Sequence, residues 1–172
     1  MAERLEISGV DSLWCPAYIA IGSNLNQPRE RVLEAFERLA LVDSTRLELR
    51  SRLYLSVPMG PKDQPTFVNA LAAVLTLLPA RQLLGALTDI ERTMGRERKV
   101  RWGPRIIDLD LIWHLGGSVS EPGLCVPHPG VSERNFVLYP LGDVAPALCI
   151  PGHGSVAYMM SRVAQDGISV LE

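Results

Sequence analysis

Asp108 and Asp110 stand two residues apart in the stretch Arg101-Trp102-Gly103-Pro104-Arg105-Ile106-Ile107-Asp108-Leu109-Asp110-Leu111-Ile112-Trp113. After Pro104 the residues alternate with the period of a strand. Ile106, Asp108, Asp110 and Ile112 fall on one face, and Ile107, Leu109, Leu111 and Trp113 on the other. Two carboxylates about 6.6 Å apart along a strand disfavour each other's charge unless something positive neutralises them. Oxygen-only ligands suit Mg²⁺, and such a pair can hold two ions at the roughly 3.5–4 Å spacing used for in-line displacement at phosphorus.

The segment just upstream supplies the opposite sign. From Glu91 to Arg105, six cations (Arg92, Arg96, Arg98, Lys99, Arg101, Arg105) face two acids (Glu91, Glu97), six minus two or +4, in a chain of net charge −2. A concentrated positive run feeding a carboxylate pair fits a polyphosphate held between guanidinium groups and metal ions. The plainer reading is an edge strand ending in two acids beside a solvated loop, and a bare D-x-D is too short and common to decide between them. There is no GxxxxGK[ST], no GxGxxG and no phosphate-cradling glycine loop, so a bound nucleotide would depend on side chains and metals. His128, His114 and His153 form no zinc constellation. Alone, His128 reads as a structural or surface histidine, and Phe67 and Phe136 read as core residues. Asn69, between Phe67 and Leu71 in an apolar run, needs hydrogen-bond partners if buried, and a flat heterocycle could provide them.

These residues need elements to position them. Ala17–Ile21 reads as a buried strand stopped by the turn cluster Gly22-Ser23-Asn24. From Pro28, apolar Val32, Ala35, Phe36, Leu39 and Ala40 recur at helical spacing; the helix is expected to be capped by Asn24 or Asn26 and to end near Asp43. Residues 46–56 alternate as one strand, with Leu47, Leu49, Leu53 and Leu55 inward and Glu48, Arg50, Arg52 and Tyr54 outward. A proline-rich loop over 57–65 leads to a strand over 66–77. Pro79 opens a second helix with the seam Leu83, Leu87, Ile90, Met94 and Gly95 as its C′ residue. A small helix is expected near 155–163. The order β-α-β-β-α-β predicts a ferredoxin-like α+β sandwich: an antiparallel sheet with both helices on one face, the carboxylates on the open face, and C-terminal additions.

At 172 residues, 47% hydrophobic and 21% charged, the chain has the composition of an ordinary globule of one domain. Residues 1–16 read as an N-terminal extension and 17–172 as the domain. No run of 18 apolar residues and no secretion signal is present, and three widely spaced cysteines form no framework, so a cytoplasmic protein that binds no membrane is expected. The slight negative charge argues against a general nucleic-acid surface.

The string R-W-G-P-R-x-x-D-L-D, Arg101 to Asp110, resembles the signature of the 6-hydroxymethyl-7,8-dihydropterin pyrophosphokinases, which move pyrophosphate from ATP to a pterin alcohol in folate biosynthesis. Gly22-Ser23-Asn24-Leu25, the run from Gly60 to Asn69, Glu91 to Arg96, Val126-Pro127-His128 and Arg134-Asn135-Phe136 are similar to further motifs of that family, in the same order. The resemblance implies a pterin stacked between Phe67 and Phe136, read by Asn69, with Ser56 and Met59 completing the pocket. It implies two Mg²⁺ on Asp108 and Asp110, with Arg96 and Arg105 catalytic. For ATP it implies Glu91, Arg98, Lys99, Trp102, His128, Arg134 and the backbone of Leu111. The loops over 57–66 and 96–104 are expected to close over ATP, which would bind before the pterin. Pro129 stands where some members carry Tyr, Thr88 where some carry an amide, and the loop between Arg96 and Trp102 is a residue shorter than in some. A monomer with small-molecule substrates and no nucleic-acid partner is expected. The rivals are a ferredoxin-like nucleic-acid-binding module using the 92–105 basic segment and a catalytically dead metabolite-binding domain.

Overall fold

The computed structural model describes residues 13–61, 63–96 and 103–171. Residues 1–12 of the expected extension therefore lie outside the described residues, as do Arg98, Lys99 and Trp102. The strand β1 (Cys15–Ser23) begins two residues before the expected domain boundary, with Cys15 and Pro16 already paired to Thr76 and Leu75.

The helix α1 (Pro28–Leu39) carries most of the predicted apolar stripe, with Val32, Ala35, Phe36 and Leu39 buried, while Ala40 is the exposed C-cap residue. Its N-cap differs from expectation: Gln27, at φ 64°, occupies that position and no side chain caps the helix. The amide of Asn24 is engaged elsewhere, between loops that flank the cavity described below. The last helical bond is from the Ala40 N–H to the Phe36 carbonyl, and turns follow in which Leu41 and Val42 donate to Arg38 and Leu39, three residues back, so the helix stops short of the expected Asp43.

The single strand expected over 46–56 is two, β2 (Thr45–Arg50) and β3 (Tyr54–Ser56), both antiparallel to β4 (Phe67–Thr76). Ser51 divides them. Its N–H donates to the Leu71 carbonyl at 2.9 Å, and its hydroxyl, rather than a ladder carbonyl, accepts the Leu71 N–H at 2.8 Å. A register shift between Leu47 and Leu49 also breaks the alternation, leaving Leu49 52% exposed while Tyr54, expected outward, is 3% exposed.

The helix α2 (Ala80–Thr93) starts after Pro79 and ends as its sequence predicts, with Leu83, Leu87, Ile90 and Met94 buried and Gly95 at φ 86° just past the end. The strand β5 (Asp108–His114) pairs antiparallel with β1. Ile19 faces Leu111 and Tyr18 faces Trp113, so Ile112 is a surplus residue in the ladder, a β-bulge. Beyond it the side chains change faces, and Trp113 packs with Ile112 and Tyr18 instead of with Leu109 and Leu111.

The hairpin of β6 (Val119–Glu121) and β7 (Leu124–Val126) follows. Next come α3 (Asn135–Val144), the short pair β8 (Cys149–Ile150) and β9 (Gly154–Ser155), α4 (Val156–Arg162) capped by the Ser155 hydroxyl, and β10 (Ile168–Val170). Among the described residues the main sheet runs β10-β3-β4-β1-β5, with β2 also beside β4, and all its pairs are antiparallel.

Two apolar layers hold this sheet. On one face α1 and α2 pack Phe36, Leu39, Leu83 and Leu87 against Ile19, Ile21, Leu109 and Leu111. On the other, α3 and α4 pack Leu138, Leu141, Val156 and Met159 against Leu71, Ile112 and Trp113. Each fully buried Leu or Ile contributes roughly 1.5–3 kcal/mol. The second face is therefore not open as expected, and Asp108 and Asp110 face a cavity beside the part that α3 and α4 cover.

Candidate functional site

The cavity, of about 320 Å³, is walled by the ends of β1, β3, β4 and β5, the start of α3 and the 57–64 loop. Asp108 and Asp110 both line it, as the alternation predicts. Arg96 reaches Asp108 at 2.6 Å and also bonds Glu91, while Arg105 bonds the other Asp108 oxygen. Burial, then the charge of Asp108, pushes Asp110 above the usual carboxylate range, against weaker opposing pulls from Arg134, Arg96 and Arg105. Among the described residues no group of three or more His, Cys, Asp or Glu comes together. The donor set is thus two carboxylates, which suits a hard cation that keeps water or phosphate oxygens as its other ligands.

Glu91 does not line the cavity. It lies behind β5, 4% exposed, and accepts the Leu109 N–H at 2.7 Å, between the two aspartates. Burial pushes its carboxyl up to about 7, although Leu109 and Arg96 pull it down. Leu111 also stays off the cavity wall, its side chain in the core beneath α1 and α2.

His128 lines the cavity near Arg134. Its backbone N–H donates to the Ile112 carbonyl at 2.8 Å, so the bulge in β5 anchors it. Its Nδ1 accepts the Gly130 N–H at 3.0 Å, which leaves Nε2 to carry the proton in the neutral ring. Burial, then the neighbouring Arg134, lowers its pKa to about 4, so at neutral pH His128 is an uncharged donor. Gly130 lets Arg134 pack close, because a Cβ there would come within 2.6 Å of the Arg134 Nε. The Arg134 guanidinium stands 6.0 Å from the Phe136 ring centre.

Ser56, Met59, Phe67, Asn69 and Phe136 line the same cavity. Asn69 and Ser56, each 4% exposed, are joined by a 2.8 Å bond from the Asn69 amide to the Ser56 hydroxyl. Met59, on the loop, is 59% exposed. Eleven of the sixteen candidate residues therefore share one cavity, two stand behind it, and three lie outside the described residues.

The sequence reading missed the residues that hold the walls together. Asn24, 2% exposed, accepts the Arg105 N–H at 2.8 Å and donates to the Pro65 carbonyl at 3.0 Å and to Gln64 at 3.3 Å. Ser23 donates to the Ile106 carbonyl at 2.6 Å. One turn thus ties the start of the D-L-D strand to the loop before Phe67. The available signal was two polar residues closing an otherwise apolar strand. Gly22, Val57, Gly60 and Gln64 also contribute to the lining.

A family model described as 7,8-dihydro-6-hydroxymethylpterin-pyrophosphokinase matches residues 18–146. The chain is 46% identical over 157 residues to a 2-amino-4-hydroxy-6-hydroxymethyldihydropteridine pyrophosphokinase of Pseudomonas aeruginosa, covering 90% of this chain and 95% of that one. A protein of the same name from Haemophilus influenzae is 38% identical, over 86% of this chain and 92% of the relative. Among solved structures, a Plasmodium falciparum HPPK-DHPS chain superposes with a TM-score of 0.70 at 14% identity, over 87% of this chain and 43% of that one. This chain thus spans less than half of the solved one, and at that identity the likeness concerns the fold alone.

Proposed function

This chain belongs to the 7,8-dihydro-6-hydroxymethylpterin-pyrophosphokinase family, and from that premise we propose how its cavity performs the family's reaction. The reaction is transfer of pyrophosphate from ATP to the hydroxymethyl group of 6-hydroxymethyl-7,8-dihydropterin in folate biosynthesis, giving the pterin diphosphate and AMP. The observation that carries the reading is the gathering of an acid pair, cationic side chains and an amide-bearing aromatic pocket in one cavity.

The hydroxymethyl oxygen attacks the β-phosphorus in line. The new O–P bond forms as the bond to the bridging α-phosphate oxygen breaks, and AMP departs with that oxygen. Asp108 and Asp110 would hold two Mg²⁺ ions, which when bound neutralise phosphate charge as it shifts toward the leaving oxygen. Arg96 and Arg105, now on Asp108, would turn toward the phosphates. Neutral His128 would donate from Nε2 to a phosphate oxygen, and Arg134 would add a charge-assisted bond. Phe67 and Phe136 would sandwich the pterin, with Asn69 reading its amide edge beside Ser56 and Met59. Glu91 acts from behind the strand, and Leu111 would offer only backbone to adenine. Arg98, Lys99 and Trp102 remain part of the nucleotide proposal through the family motif. Positioning carries most of the rate.

The strand order, with β2 and β3 read as one strand, supports naming the frame a ferredoxin-like sandwich carrying C-terminal additions. A single domain over 17–172, working as a monomer in the cytoplasm on two small molecules, completes the reading. No helix among the described residues is long and apolar enough to cross a membrane. The relatives lend no support to the nucleic-acid-binding alternative.

Incubation of the chain with ATP, Mg²⁺ and the pterin alcohol, followed by chromatography, tests the reading. AMP and pterin diphosphate should appear in equal amounts. Release of ADP, or no pterin-dependent AMP, defeats it.

A further inference from the structure

Arg52, Tyr54 and Asp143 lie outside the cavity lining and have no role in the reaction as described. Tyr54 and Ser56 are two apart on β3 and present side chains to one face. Phe136, Tyr139 and Asp143 recur at i, i+3 and i+7 of α3 and share one side of that helix. These two surfaces meet. The Tyr54 and Tyr139 rings lie 6.5 Å apart between centres, and the Tyr54 hydroxyl donates to the Asp143 carboxylate at 3.0 Å. Arg52 binds the same carboxylate through its backbone N–H at 3.1 Å and through its guanidinium at 2.6 Å and 3.1 Å.

The bonds join separate parts of the chain that both contribute to the cavity lining. Through the β3–β4 ladder Tyr54 is paired with Asn69, and Ser56 with Phe67, so this side of the clamp is continuous with the amide and aromatic wall. The other side is α3, whose first turn carries Phe136. Tyr54 is 3% exposed, and burial followed by its hydrogen bond to Asp143 pushes its hydroxyl up to about 12, so it remains a donor throughout the working range. Burial alone would raise Asp143, but the bonds from Arg52 and Tyr54 outweigh it and hold the carboxyl below its usual range.

We propose that Asp143, gripped by Tyr54 and Arg52, is a positioning residue that fixes the spacing between the Phe136 wall and the Ser56–Phe67–Asn69 wall, and so sets the fit of the flat pterin ring. The inference rests on the pterin reading of the cavity. A slot for a planar ring loses contact on both faces when it widens by a fraction of an ångström, whereas a flexible triphosphate can follow its partners. The clamp should therefore govern pterin affinity and leave nucleotide affinity alone.

The test uses Tyr54→Phe, Asp143→Ala and Asp143→Asn in the full chain. Pterin binding is measured by fluorescence with α,β-methylene-ATP and Mg²⁺ present, nucleotide binding separately, and thermal midpoints alongside. Asp143→Ala and Tyr54→Phe should raise the pterin Kd about tenfold while the nucleotide Kd stays within about twofold. Asp143→Asn, which still offers an acceptor to Tyr54, should recover most of the pterin affinity. Unchanged pterin affinity in Tyr54→Phe and Asp143→Ala overturns the proposal, as does a parallel loss of both affinities that tracks the thermal midpoint. If Asp143→Ala does not fold, Tyr54→Phe decides by the same two constants, because it keeps the ring packed against Tyr139. A wild-type chain that binds no pterin removes the functional reading beneath; wild-type binding with unaltered variants removes this inference alone.

Discussion

Glu91 accepts the backbone N–H of Leu109, the residue between Asp108 and Asp110, at 2.7 Å from the far side of the strand. The end of α2 is thereby fastened to the middle of the acid pair. Arg96, just past that helix, bridges Glu91 and Asp108. The orientation of the two carboxylates depends on helix packing as well as on strand pairing.

Removing either carboxylate should disable the enzyme and spare the fold. Asp108→Ala and Asp110→Ala are expected to lower kcat by roughly a thousandfold or more, since the proposed metal ions, which would position the phosphates and neutralise their charge, would lose a ligand. Circular dichroism should be unchanged. Chelation of divalent ions should abolish turnover of the wild type, and Mg²⁺ should restore it; near-normal rates in either variant would rule out the metal role.

Arg96→Ala and Arg105→Ala should slow chemistry more than they weaken nucleotide binding. Both guanidinium groups sit on Asp108, so part of what each gains from a phosphate is offset by the carboxylate it releases. Single-turnover rates should fall by about a hundredfold or more with a much smaller change in ATP Kd. Equal losses in both quantities would assign these residues to binding alone.

His128 is expected to work uncharged. With its pKa lowered to about 4, chiefly by burial, the folded chain does not take up the proton that an unfolded chain binds near pH 6.5. Stability contributed by His128 is therefore complete above about pH 6.5 and is lost as pH falls toward 4. The thermal midpoint of the wild type should drop relative to that of His128→Gln over this window. A ¹⁵N titration should find the free enzyme's His128 protonating near pH 4, with Nε2 carrying the proton above it.

Asn24→Ala should damage the site through its scaffold. Its side chain serves Arg105, Pro65 and Gln64 at once, and a part-buried backbone donor and acceptor would lose their partner. Loss of about 2–3 kcal/mol in denaturant unfolding is expected, with raised KM for both substrates. Asn24→Asp should fare no better, because an ionised carboxylate cannot donate to the Pro65 carbonyl. A stability loss without any change in KM would separate the turn from the site.

The chemistry was legible in the sequence because it is local. Alternation alone puts Asp108 and Asp110 on one face, and the helical stripes of α1 and α2 follow from spacing. What escaped depends on partners far along the chain. The division of β2 from β3 comes from a Ser51 hydroxyl meeting Leu71, and the burial of Tyr54 comes from α3 settling over that face. Asn24 reads locally as a helix cap, yet its partners lie about 40 and 80 residues away.

The surplus residue in β5 has a practical corollary. Were Ile112 deleted, Leu111 could still face Ile19 and Trp113 still face Tyr18, so every cross-strand partnership and both aspartates would survive. What would vanish is the carbonyl that tethers His128 and one filled position between sheet and α3. The number of residues separating Asp110 from Trp113 is accordingly a ruler: two keep the histidine moored in the cavity wall, and one would leave an intact-looking scaffold with that donor adrift.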